Sequence, residues 1–148
     1  NTASNVLDDY EEGTFTPTFV GDGGNPSITY DTAKTAGSYT KIGRLVTVMC
    51  RIRTDAASGG SGILSIAGLP FTNAQTSDAN KNGNGVGAVS DWSSNTPLSL
   101  QMRVNTTKVA LQYRTAIGGA TTINSTSDLA NGSDKNNIQF NLTYLTDA

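Results

Sequence analysis

Between Val46 and Arg53, apolar residues alternate with a set that is polar except at Met49. Val46, Val48, Cys50 and Ile52 hold one parity, and Thr47, Met49, Arg51 and Arg53 hold the other. Successive side chains of a β-strand point to opposite faces, so this period of two buries one set and presents the other. A helix would scatter the same apolar positions around its axis. The pattern returns where Leu98, Leu100, Met102 and Val104 alternate with Ser99, Gln101 and Arg103, and again at Ile138, Phe140, Leu142 and Tyr144. No stretch sustains a 3.6-residue period. The fold class is therefore all-β, with almost no helix.

Turn chemistry divides the rest of the chain. Asn105-Thr106-Thr107 separates the 98–104 run from Val109, Leu111 and Tyr113, which predicts an antiparallel hairpin. Gly21 to Pro26 and the Gly-rich 58–62 segment read as turns, and Gly43-Arg44 as a bend within a strand running over 38–54. Phe15, Pro17 and Phe19 alternate with threonines, and Pro17 confines that segment to an edge or a bulge. Residues 72–85 and 118–136 are long loops. About eight short strands of this kind predict two packed antiparallel sheets, a β-sandwich or jelly roll. Residues 1–12 (NTASNVLDDYEE) read as a linker and 13–148 as the β domain. A chain opening on Asn1 rather than Met reads as a piece of something longer.

The sequence removes several function classes. It contains no histidine, so Ser-His and Cys-His catalysis and imidazole-based metal sites are excluded. Cys50 is the one cysteine, and its parity places it with the buried set. Asp8, Asp9, Glu11 and Glu12 offer carboxylates, but outside the strands that would hold an acid pair rigidly. No enzyme activity and no cofactor are expected. A net charge of −2 and a pI near 4.8 argue against nucleic acid, and no apolar run is long enough for a membrane helix. Asp78-Ala-Asn80-Lys-Asn82-Gly83-Asn84 matches the first half of an EF-hand calcium loop. Its twelfth position is Val89 rather than glutamate, so no metal site is assigned and any calcium binding would be weak.

Recognition has a better candidate. Sugars are bound by aromatic faces together with planar hydrogen-bonding groups, and the 73–92 region supplies both kinds. Asp78, Asn80, Lys81, Asn82, Asn84, Asp91 and Trp92 are the candidate ligand-binding residues. The competing reading makes Trp92, the single tryptophan, a core plug or an interface anchor.

Leu7-Asp8-Asp9-Tyr10-Glu11-Glu12-Gly13-Thr14-Phe15-Thr16-Pro17 resembles a lead-in sequence of phage and prophage tail-fibre and tailspike proteins, where it introduces a C-terminal β domain. Gly37-Ser38-Tyr39-Thr40-Lys41-Ile42-Gly43-Arg44-Leu45-Val46-Thr47-Val48, Gly68-Leu69-Pro70-Phe71 and Tyr144-Leu145-Thr146-Asp147 follow in order, so the resemblance covers nearly the whole chain. It implies a distal, homotrimeric jelly-roll domain on the virion, joined to an upstream fibre or spike region. Two jobs follow from it: receptor binding, with a host cell-surface polysaccharide as partner, or trimerisation of the fibre without a ligand. It carries over no catalytic motif and no binding residue. Leu45, Met49 and Leu64, with Leu145, are then expected on a second sheet face as the trimer interface.

Overall fold

The computed structural model describes residues 9–74 and 83–147. It is an all-β structure of two antiparallel sheets forming a sandwich. The strands are β1 (Tyr10–Phe15), β2 (Thr18–Gly21), β3 (Ser27–Tyr30), β4 (Ala36–Ile42), β5 (Leu45–Ser58) and β6 (Leu64–Ala67). They continue as β7 (Gly83–Ser90), β8 (Ser99–Met102), β9 (Lys108–Arg114), β10 (Thr121–Ile123) and β11 (Lys135–Leu145). One short 3-10 turn, Thr126–Asp128, is the helical element among the described residues.

The first sheet runs β1–β4–β5–β11–β7, and the second runs β7–β8–β9–β6–β2. β7 joins them: Val86, Ala88, Val89 and Ser90 pair with β11, while Gly83–Gly85 pair with β8. Glycine at such a corner lets the strand turn between layers. β5 is long enough, at 14 residues, for two strands to share one of its edges. β4 lies along Leu45–Arg51, and β3 along Thr54–Ser58.

Two expected strands are broken by their punctuation residues. Gly43-Arg44 does not bend a continuous strand; it closes a hairpin, with Ile42 opposite Leu45. Gly43 supplies the positive φ (+57°) that a two-residue hairpin turn needs. Pro17 does not sit in an edge strand; it lies buried between β1 and β2, where the chain leaves the first sheet for the second. A residue without an N–H interrupts the ladder at that step. β1 also begins at Tyr10, inside the segment read as a linker, so Glu11 and Glu12 belong to the sheet.

The core fills the space between the sheets. Val46, Val48, Cys50 and Ile52 from β5 and Ile138, Phe140, Leu142 and Tyr144 from β11 meet Phe19, Leu64, Ile66, Leu100, Met102, Val109 and Leu111 of the second sheet. The 98–113 hairpin forms as the pattern predicts, with Leu100 opposite Leu111 and Met102 opposite Val109. A register shift in β11 places Asn136 at φ +50° and fully buried. Its amide donates to Thr54 Oγ1 (2.7 Å) and the Ala130 carbonyl (2.8 Å) and accepts the Ala130 N–H (2.7 Å), so the irregularity leaves no buried polar cost there.

Candidate assembly surface

The parity that buries Val46 and Tyr144 turns their neighbours outward. Tyr10 stands opposite Ile42, Ile42 opposite Leu45, and Leu45 opposite Leu145. These are cross-strand partners on four adjacent strands, so they make one apolar row across the outer face of the first sheet. Their exposures are 50, 44, 47 and 46%, so the described residues leave about half of each open. The next outward row is Glu12, Thr40, Thr47 and Thr143, in which the Thr47 and Thr143 hydroxyls lie 3.1 Å apart. The third is Thr14, Ser38, Met49 and Asn141, with Met49 66% exposed. Sheets that face water on one side normally present polar residues there. A continuous apolar row with a methionine beside it departs from that pattern.

This face is hollowed rather than flat. Ala36, Gly37, Gly87 and Ala88 line a hollow of about 580 Å³, with Met49 and Arg51 also bordering it. A second, of about 500 Å³, shares Thr14, Ser38 and Met49 and reaches Glu12. The charges on the face are restrained by neighbours. Arg51 Nε donates to Asn137 Oδ1 at 3.3 Å, and the Tyr10 hydroxyl donates to Glu12 Oε2 at 2.5 Å, which raises the tyrosine's pKa. Hydroxyls, methyls and one thioether dominate this face.

The segments that carry the resemblance meet at one end of the sandwich. Tyr39 packs edge-on against Phe71, with ring centroids 5.4 Å apart, and Lys41 Nζ lies 5.7 Å from the Phe71 centroid. Phe71 is bonded through its backbone to the Tyr144 hydroxyl. Arg44 Nε donates to the Thr146 carbonyl at 2.9 Å. Gly68, at φ +92°, comes so close to Thr16 that a Cβ would lie 2.5 Å from its carbonyl oxygen. These motif residues therefore fasten a corner of the fold; their spacing in sequence reflects mutual packing.

The expected ligand surface divides. Asp78, Asn80, Lys81 and Asn82 lie outside the described residues, and with them most of the 78–84 calcium-like loop. Asn84 is described only as a β7 residue opposite Leu100. Asp91 is exposed, at φ +64°. Trp92 is half-buried against the core: it meets Phe19 edge-on at 5.8 Å, and its Nε1–H donates to the Asn137 carbonyl at 3.3 Å. Part of the indole and its N–H are thus engaged in packing, as the competing reading of Trp92 expects.

The expected interface also divides. Leu45 and Met49 are on the exposed face, together with Leu145. Leu64 is not: it shares parity with Ile66 in β6, points between the sheets and is fully buried. Sequence reading missed Tyr10 and Ile42, because the first lay in a presumed linker and the second beside a presumed bend at Gly43-Arg44.

Asp31, Asp55 and Asp134 bring carboxylate oxygens within 4.8 Å of one another. The Arg53 guanidinium stands among them, 2.8 Å from Asp31 and paired also with Asp134. It supplies the positive charge such a cluster needs, so this is an ion-pair network. Cys50 is buried, and burial pushes its thiol up to about 12, which leaves it inert as a nucleophile at neutral pH. A scan against protein-family models and a search of curated proteins return no match to this chain.

Proposed function

We propose that this domain is a self-assembling distal module of a phage or prophage tail fibre or tailspike. Three copies with jelly-roll connectivity bury their outer first-sheet faces against one another and hold an upstream fibre region in register. The observation that carries this reading is the row Tyr10–Ile42–Leu45–Leu145, with Met49 beside it, left open across four strands. Burying apolar surface contributes ~25 cal/mol per Å², so a row of this kind favours association once a partner presents a matching face. The motif-bearing corner supports the same reading, since it fixes the strands that carry the row.

The test is light scattering on the purified domain and on Leu45→Asp and Met49→Asp variants. A trimeric parent and monomeric variants with unchanged circular dichroism are expected. A parent that stays monomeric at micromolar concentration would overturn the proposal.

A second reading, host adhesion through a surface carbohydrate, is favoured by Asp91. This acid is exposed, and its carbonyl accepts the Asn136 N–H at 3.1 Å, so it stands on fixed backbone. A glycan array probed with the parent and with Asp91→Ala tests it. Binding lost in the variant, with the trimer intact, is the supporting result, and no binding by the parent sinks it.

A further inference from the structure

The chain contains three Asn-Gly steps, at 82–83, 84–85 and 131–132. Such a step can rearrange without an enzyme, because a glycine leaves its own backbone nitrogen open to the side-chain amide before it. The fold treats the steps differently. Asn82 lies outside the described residues. Asn84-Gly85 is paired in the β7–β8 ladder, opposite Leu100 and Ser99, so closing a ring there must first break the pleat. Asn131-Gly132 lies between strands, in the turn that leads into β11, and Asn131 is exposed.

At that turn the groups for ring closure are set out. The Ala57 N–H of β5 donates to Asn131 Oδ1 at 3.2 Å, a strand donor taken up by a side chain. It polarises the amide carbonyl and meets the negative charge that forms on Oδ1 when Cγ is attacked. Among the described residues, Asn131 Nδ2 and the Gly132 N–H take part in no hydrogen bond, so leaving group and nucleophile are both unengaged. Gly132 holds φ +119°, and a Cβ built on it would meet nothing nearer than the Lys135 side chain at 3.9 Å. The turn is uncrowded on that side.

We propose that Asn131 is a self-modification site of the folded domain, converting to aspartate and isoaspartate through a cyclic imide. The Gly132 nitrogen bonds to Asn131 Cγ and gives up its proton to solvent. The Cγ–Nδ2 bond breaks, and the nitrogen leaves as ammonia. Water then opens the imide at either carbonyl. Opening at the former backbone carbonyl leaves isoaspartate, whose main chain runs through Cγ. Neither route oxidises or reduces anything. The product adds a carboxylate where acids already gather: Asp134 is three residues on, and Ala57 is two from Asp55, with Arg53 the cation in contact. In isoaspartate the acceptor of the Ala57 N–H is displaced as well. Conversion therefore weakens the hold of β5 on this turn, and it marks the age of the folded chain.

The test is peptide mass mapping of the whole chain held in mildly alkaline buffer, with isoaspartate counted by enzymatic methyl transfer. The same chain in urea is the reference. One hydrogen bond onto a developing charge is enough for a rate difference of about tenfold, so Asn131 should lead Asn84 by at least that factor in the folded protein. In urea the two rates should converge. Asn131→Gln, whose longer side chain closes a ring far more slowly, should abolish conversion at this step and leave the circular dichroism unchanged. Equal rates at the two steps in the folded chain, or Asn82 or Asn84 converting first, overturn the proposal. So does an isoaspartate signal that survives Asn131→Gln undiminished. A lead for Asn131 that persists in full in urea also overturns it, since the cause would then lie in the local sequence and not in the fold.

Discussion

The Tyr144 hydroxyl donates to the Phe71 carbonyl at 3.0 Å and accepts the Phe71 N–H at 3.3 Å. One buried side chain thus satisfies both backbone groups of the residue that ends the Gly68–Phe71 corner, and fixes the last strand to it. Tyr144→Phe keeps the ring and removes both bonds. Leaving a backbone donor and acceptor unpaired costs about 1–3 kcal/mol, to be read from urea unfolding of the two proteins.

The same burial makes stability depend on alkaline pH. The Tyr144 hydroxyl is pushed from 10.0 up to about 12 and the Cys50 thiol from 9.0 up to about 12, both by desolvation. Below pH 9 folded and unfolded chains carry both protons, so stability should be flat with respect to these groups. Above it the unfolded chain sheds protons first and is favoured. Stability should then fall by ~1.4 kcal/mol per pH unit per titrating group until the folded values are reached. Urea midpoints from pH 8 to 12 check the slope (about one group from 9, and at least two from 10, where the raised Tyr10, Tyr30 and Tyr39 add to it), and Tyr144→Phe should retain the earlier part of the fall.

Gly37 lies opposite Phe15 in the β1–β4 ladder, and its missing side chain is where the ring rests. A Cβ there would lie 2.4 Å from Phe15 Cζ. Gly37→Ala should cost about 1–3 kcal/mol by overpacking. Shortening Phe15 to Leu in the same chain should recover part of that loss in a double-mutant cycle; strict additivity would show that the ring is not what excludes the methyl.

Leu64 and Leu45 separate core from surface. Leu64→Ala empties a fully buried site and should destabilise the domain by about 2–5 kcal/mol. Leu45→Ala removes an exposed side chain and should change monomer stability by less than about 0.5 kcal/mol. Light scattering on both should place the loss of association with Leu45, whereas equal effects on unfolding would contradict the assignment of faces.

Period and parity were legible from the residues alone. The alternation over Val46–Ile52 and Ile138–Tyr144 identified the inner face of the first sheet, and Asn105-Thr106-Thr107 the β8–β9 hairpin, because both are local consequences of pleat and turn geometry. The same parity put Leu45 and Met49 outside. It failed at Leu64, where a short strand offers too few positions to tell which side faces the other sheet.

What only the tertiary structure decided is which separate segments stand side by side. Tyr10, Ile42, Leu45 and Leu145 are scattered along the chain, and strand pairing alone makes them one row. Trp92 reads from sequence as an aromatic neighbouring a long polar loop, and the fold turns it onto Phe19 and the Asn137 carbonyl. Alternation states that a side chain has an inside and an outside. Register across strands, set by every turn and crossing at once, settles which neighbours it meets there.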